Sequence, residues 1–285
     1  MIIKAYAKIN LALSVEGVRD DGYHDLDMVS VPVGIYDTVE IETVNTFGRS
    51  TISCDNPNVV IDDESQVRLA INIMREHFNI ATKFDVNIKK GIPLDSGMGG
   101  ESADAAAIMM GICKLCKLKP SLAELMKLGA QVGCDVPFFL VGKPARVRGK
   151  GEIIEPFKLK KKYSVLVVKP QYGSHNKEIF SLYKEKDHLN LGVRTLVHAL
   201  EDGDDLAICS LVGNDLEAAA SSKVMEISSY KEQFKKSGAS FAYGMTGSGS
   251  ALYALSTNEK LLDNLSKLFG RKPSFIQIAE VLNEY

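Results

Sequence analysis

Pro93-Leu94-Asp95-Ser96-Gly97-Met98-Gly99-Gly100-Glu101-Ser102-Ala103-Asp104-Ala105-Ala106-Ala107 sets three glycines in four residues, then a serine, then an alanine-rich run. Ahead of it, Phe84, Val86 and Ile88 alternate with polar residues, which predicts a strand entering the stretch. From Ser102 to Cys116 the composition predicts a helix. Strand, glycine loop and helix together present unpaired backbone N–H groups to an anion. The glycines let the backbone approach that anion closely and take positive φ. The reading is therefore phosphate, and so a nucleotide. Two acids, Asp95 and Glu101, stand where a phosphate site has no use for them.

Outward from this loop, strands and helices alternate irregularly. Ile9, Leu11, Leu13 and Val15 alternate as a strand, and Val39 and Ile41 resume after an expected turn at Tyr36-Asp37. Val67, Ala70, Ile71 and Met74 recur with helical period over 64–78. Ser121 with Glu124 three residues on is a capping box opening the next helix. Residues 145–157 read as strand with a turn at 149–151. Tyr163 to Pro170 is a nearly continuous apolar strand, suited to burial on both faces. Helical patterns follow over 176–184, 193–201, 204–212, 223–236 and 259–268, with a strand pair over 239–256 and a last strand at 275–279. The expected fold class is α+β in two domains, 1–157 and 158–285, divided where the composition shifts.

The chain has 285 residues, 45% hydrophobic and 25% charged, with a formal net charge of −2. A nucleic-acid reader shows a basic excess, so that class is disfavoured. No apolar run has membrane-spanning length. Met1 to Lys8 lacks the order of a signal peptide, and five cysteines, an odd number, suit a reducing compartment. A cytoplasmic protein is expected. Cys113 and Cys116 lie inside a predicted helix and read as small apolar residues rather than metal or redox ligands.

Several residues outside the loop carry possible chemistry. Lys8 and Asn10 share one strand face, opposite Ile9 and Leu11, either as solvated polar residues or as fixed charge in a cleft. Asp135 precedes Pro137, which marks it as a helix N-cap or, among apolar neighbours, as a base for an alcohol. Asp21-Gly22-Tyr23-His24 is a surface turn or a site for a heteroaromatic ring. Gly244 to Ser250 is a second glycine-rich loop, by itself only a hairpin. The nucleotide-binding P-loop, the dinucleotide spacing and the protein-kinase motifs are absent.

Three segments together resemble the GHMP kinase superfamily: Ala5 to Asn10, Pro93 to Ala107, and Met245 to Tyr253. Within it the chain is similar to the 4-diphosphocytidyl-2-C-methyl-D-erythritol kinase family in Ala7-Lys-Ile-Asn-Leu11, Asp21 to His24, Gly133-Cys-Asp-Val-Pro-Phe-Phe139, Arg148 to Glu152 and Asn214 to Glu217. The resemblance implies an N-terminal domain like ribosomal protein S5 and a ferredoxin-like C-terminal domain. It implies ATP at 93–104, Mg2+, and phosphoryl transfer to the 2-hydroxyl of a cytidine diphosphate-linked polyol in the non-mevalonate isoprenoid route. Lys8 and Asp135 match the catalytic pair. Tyr23, His24 and Phe180 match positions around the cytosine, while Asn10, Gly247 and Ser248 match positions near the substrate phosphates. No nucleic-acid or membrane partner is implied, and a monomer or weak homodimer is expected. A paralogue acting on another small alcohol, or a weak or silent nucleotide binder, is the alternative.

The family loop has glycine where this chain has Asp95 and Glu101, and serine where it has Ala103. Ser174-His175-Asn176 also departs from the usual turn. The two acids are expected to weaken ATP binding by repulsion, or Glu101 serves the first turn of its helix.

Overall fold

The computed structural model describes residues 1–44, 48–238, 241–270 and 272–285. In chain order the elements are β1 (Ile2–Val18), β2 (His24–Val44), β3 (Thr51–Cys54), α1 (Gln66–His77), β4 (Lys83–Lys89), α2 (Gly100–Leu115), α3 (Leu122–Val132) and α4 (Val136–Val141). Then come β5 (Ala145–Gly149), β6 (Ile153–Pro156), β7 (Ser164–Lys169), α5 (Asn176–Leu182), α6 (Val193–Asp202), α7 (Asp205–Leu211) and β8 (Gly213–Asn214). The last are α8 (Glu217–Lys223), α9 (Glu226–Lys236), β9 (Ala242–Met245), β10 (Leu252–Ser256), α10 (Glu259–Ser266) and β11 (Phe275–Glu280). The fold is mixed α/β. It divides into two compact units, each assembled from three stretches of chain.

The first unit comprises Met1–Ala7, Ile35–Ile92 and Gly99–Gly142. Its sheet pairs the second half of β2 antiparallel with β4, and β4 parallel with β3. Helices α1 to α4 pack with one another. Val39, Ile41, Phe84, Val86 and Ile88 are buried, as are Ile71 and Met74 of α1. Helix α2 buries residues on nearly every side, so its alanines serve close packing rather than an amphipathic stripe. Burial pushes the Cys113 thiol up to about 11, which keeps it a protonated apolar packing group.

The expected turn at Tyr36-Asp37 does not form: β2 runs through it unbroken. Asp37 is fully buried, and its Oδ1 accepts the N–H groups of Gly91 and Ile92 at 2.6 and 2.7 Å. Lys90 donates to its other oxygen and to Asp104 Oδ2 at 2.8 Å. An aspartate that suggests a turn is here satisfied by backbone more than 50 residues away.

The second unit comprises Lys8–Gly34, Pro93–Met98 and Lys143–Tyr285. Its four-stranded antiparallel sheet has the order β11-β7-β10-β9. Central β7 is buried from Val165 to Lys169, as its unbroken apolar run requires. Helix α9 sends Ile227, Tyr230 and Phe234 into the core, where Phe234 meets Phe241 and Phe269 edge to face. The first half of β2 pairs with β5, and β5 with β6 in a hairpin. The expected strand pair over 239–256 forms as β9 and β10, and residues 239–240 lie outside the described residues. No helix among the described residues is long and apolar enough to cross a membrane.

Candidate active site

In the second unit the two glycine-rich loops interlock. Gly97 has φ +74, and a Cβ there would lie 2.2 Å from the carbonyl oxygen of Thr246. Only glycine fits this approach. Across it, the N–H groups of Ser250 and Ala251 donate to the carbonyls of Asp95 and Ser96 at 3.3 and 3.2 Å. The Met98 carbonyl accepts the Lys8 N–H at 3.1 Å. The Lys8 ammonium is buried and donates to Asn10 Oδ1 at 2.5 Å. Asn10 in turn donates to Ser30 Oγ at 2.9 Å, and its N–H donates to Thr246 Oγ1 at 2.9 Å. The lysine is thereby held at a fixed height above β1 rather than waving in solvent.

Gly247 and Ser248 belong to the same cluster. Asn214 donates to the Gly247 carbonyl at 2.8 Å, and Ser174 Oγ to the Ser248 carbonyl at 2.9 Å. Ser248 Oγ donates to Asn176 Oδ1. The unusual turn at 174–176 is thus tied to the second glycine loop.

Asp95 holds φ +51, the left-handed region that glycine enters freely and that aspartate tolerates better than most residues. Its carboxylate lies 3.6 Å from His175 Nδ1. Burial lowers the pKa of the Lys169 ammonium, and the Asp95 charge opposes that fall. The two departures at 95 and 175 therefore face each other.

A ring cluster occupies the start of β2. His24 and Phe180 have centroids 5.0 Å apart at 35°, and Tyr183 meets His24 edge-on at 6.1 Å. Burial lowers the His24 pKa, so the imidazole is neutral near pH 7. Tyr23 is half exposed, and Lys150 Nζ sits 4.9 Å from its ring centroid.

In the first unit, Gly99 precedes α2 with φ +75 and offers no side chain to cap it. The first N–H groups of the helix are left to other partners. Glu101 Oε1 accepts the backbone N–H of Gln66 at 2.8 Å, and Ser102 Oγ donates to Gln66 Oε1 at 2.7 Å. A Cβ at Gly133 would lie 2.5 Å from that same Gln66 oxygen. Gln66 therefore links the start of α2 to the turn that carries Asp135. Asp135 is half-buried at the N-cap position of α4, and its side chain does not cap that helix.

Buried Asp104 closes the loop. Burial pushes its carboxyl up to about 8, against the pull of Lys90, and the charge of Asp37 adds to the rise. Burial works against the Lys90 ammonium too, but the two carboxylates raise its pKa overall, so it stays charged. Sequence spacing gives no signal for Gln66 or Lys90, only a turn for Asp37, and for Thr246 only its place in the second glycine loop. Each acts through partners at least 14 residues away in the chain.

The sequence pattern of the GHMP kinases N terminal domain matches residues 65–143. The 4-diphosphocytidyl-2-C-methyl-D-erythritol kinase of Clostridium perfringens is 37% identical over 257 residues, 89% of this chain and 88% of that protein. The chain belongs to the 4-diphosphocytidyl-2-C-methyl-D-erythritol kinase family. The Geobacillus thermodenitrificans member is also 37% identical, over 89% of this chain and 87% of its own. A crystal structure of a 4-(cytidine 5'-diphospho)-2C-methyl-D-erythritol kinase superposes with a TM-score of 0.80, at 26% identity, covering 99% of both chains. Homoserine kinase from Cytophaga hutchinsonii shares the fold, with a TM-score of 0.77 at 20% identity. This member of the kinase family is a small-molecule kinase with the mixed α/β fold of the GHMP enzymes.

Proposed function

We propose that this chain transfers the γ-phosphoryl group of ATP to the 2-hydroxyl of 4-diphosphocytidyl-2-C-methyl-D-erythritol. The observation that carries the reading is family membership across about nine-tenths of the chain, with relatives bearing that name. In this reading Asp135 takes the proton of the acceptor hydroxyl, and Lys8 stabilises the negative charge developing there. The Asn10 contact supports a lysine fixed in advance of the reaction. The loop 93–104 receives the triphosphate through its backbone and the start of α2. His24 and Phe180, with Tyr23 beside them, receive the cytosine, while Asn10, Gly247 and Ser248 lie towards the substrate phosphates.

Magnesium belongs to the same proposal. Among the described residues no group of three or more His, Cys, Asp or Glu side chains is arranged to hold a metal ion. Mg2+ ordinarily takes one or two protein oxygens and leaves the rest to phosphates and water, so it does not require such a group. Asp95 or Glu101 would be the carboxylate to reach it, the alternative to their repelling the triphosphate. When bound, the ion would neutralise charge on the phosphates. The division into a nucleotide domain at 1–157, like ribosomal protein S5, and a ferredoxin-like domain at 158–285 is part of this reading. So is a cytoplasmic setting.

The test is ADP release with the cytidyl substrate, comparing wild type with Asp135→Asn. General-base catalysis predicts a loss of about 10²–10⁴-fold in kcat. Equal turnover by both proteins removes Asp135 from the mechanism. No ADP from wild type with this substrate, but release with another small alcohol, replaces the substrate and keeps the kinase.

A further inference from the structure

The second unit contains a cavity of about 390 Å³ between the β5–β6 hairpin and α6. Arg146, Arg148 and Arg194 line it, with His198, Glu155 and Glu201. Phe157 and Val197 give it an apolar wall.

Strand alternation explains why these charges gather there. On β5, Ala145 and Val147 are buried, and Arg146 and Arg148 leave from the other face. Register sets Asp27 of β2 opposite Arg148. Met28 and Ser30, which contact Asn10, point the opposite way from Asp27. The cavity therefore opens on the strand face turned away from the Asn10 cluster.

The charges in it are unevenly committed. Arg146 forks onto Asp27 with bonds of 2.9 and 2.6 Å. Glu155 accepts from Arg148 and lies 3.8 Å from Arg146. His198 is 3.5 Å from Glu201. Two donor groups remain. Arg148 Nε is buried with no hydrogen-bond partner, and exposed Arg194 has neither ion pair nor hydrogen bond among the described residues. The unpaired guanidinium fork of Arg194 matches the oxygens of a phosphoryl group. The carboxylates of Glu155 and Glu201 would repel a bare anion, but they accept hydroxyl protons. The volume lies in the range of small-molecule sites.

We propose that this cavity is a second binding site, for a small phosphomonoester that also carries hydroxyl groups, of the polyol or sugar phosphate class. Arg194 takes the phosphoryl oxygens, and Arg148 adds positive charge beside it. Glu155 or Glu201 accepts from hydroxyls, and the carbon chain rests on Phe157 and Val197.

Calorimetry with glycerol 3-phosphate tests this, with the kinase site first saturated by a non-hydrolysable ATP analogue and cytidine diphosphate. Wild type takes up one further equivalent. Arg194→Ala weakens that binding at least tenfold, and so does Val197→Trp, which fills the cavity without touching a charge. Inorganic phosphate binds at least several-fold more weakly than the ester. No heat in wild type overturns the proposal, as does equal binding by wild type and both variants. Phosphate binding as tightly as the ester overturns the hydroxyl recognition. Unchanged thermal midpoints in the variants show that a loss of binding is not a loss of fold.

Discussion

Glu101 Oε1 accepts the backbone N–H of Gln66 at 2.8 Å, so the acid that opens α2 caps the start of α1. Ser65, at the N-cap position of α1, gives that helix no side-chain bond because its hydroxyl is engaged with Asp62. The cap is supplied from 35 residues away. Charge and capping are then separable at position 101. Glu101→Gly should cost about 1 kcal/mol of stability. Glu101→Gln keeps the acceptor and removes the charge, so it should hold stability and lower the KM for ATP. A KM for ATP that does not fall in Glu101→Gln shows that this charge does not repel the triphosphate.

Asp95 and Gly173 form a pair of a different kind. A Cβ on Gly173 would lie 2.2 Å from Asp95 Cβ. Asp95→Gly relieves a left-handed residue by about 1 kcal/mol, raising the thermal midpoint by about 2 °C. The lost contact with His175 subtracts little, because both side chains are at least half exposed. Gly173→Ala should be damaging in wild type and far milder in the Asp95→Gly background. Equal damage in both backgrounds would show that the two positions do not compete for space.

Buried Asp104 sets a pH dependence with a definite sign. Its folded pKa of about 8 stands well above the ordinary aspartate value of 3.8. Between those values the folded chain holds a proton that the unfolded chain releases. Stability contributed by this group is therefore greatest in acid and falls as pH rises towards 8. Asp104→Asn mimics the protonated form, so its thermal midpoint should fall less than that of wild type between about pH 5 and pH 8. Parallel curves for the two proteins would contradict the assignment.

His24 and Phe180 should govern cytidine recognition. At 5.0 Å, the two rings leave no slot for a base between them, since stacking on both faces needs about 7 Å. The base must use an outer face or part the rings. His24→Ala and Phe180→Ala should each raise the KM for the cytidyl substrate about tenfold, equivalent to about 1.4 kcal/mol of stacking, and leave the KM for ATP unchanged. Affinity for the cytidyl substrate should also weaken in acid, as the neutral His24 acquires a proton. Matching rises in both KM values would mean a general packing defect.

Local chemistry made much of this legible from the chain. The capping box at Ser121 and Glu124 forms by half: the Glu124 N–H donates to Ser121 Oγ at 3.1 Å, while its carboxylate lies 2.9 Å from His77 Nε2 instead of reaching back. The alanine-rich run gives α2, and the apolar run at 163–170 gives the buried β7. What escaped notice depends on distant partners. Asp37 looks like a turn residue until Gly91 and Ile92 come to meet it. Strand β8 is two residues long and exists through its pairing with Ala12 and Leu13. Gln66 sits in an ordinary helix start, and only the folded chain brings Glu101, Ser102 and Gly133 to it.

The backbone contact between Gly97 and Thr246 has a consequence for redesign. With so little space between them, neither loop can be lengthened or exchanged for a relative's version by itself. A graft meant to change nucleotide preference would have to carry 93–98 and 244–250 together, as one cassette drawn from a single donor. Chimaeras that mix the two sources should fail at folding before they are ever tested for catalysis.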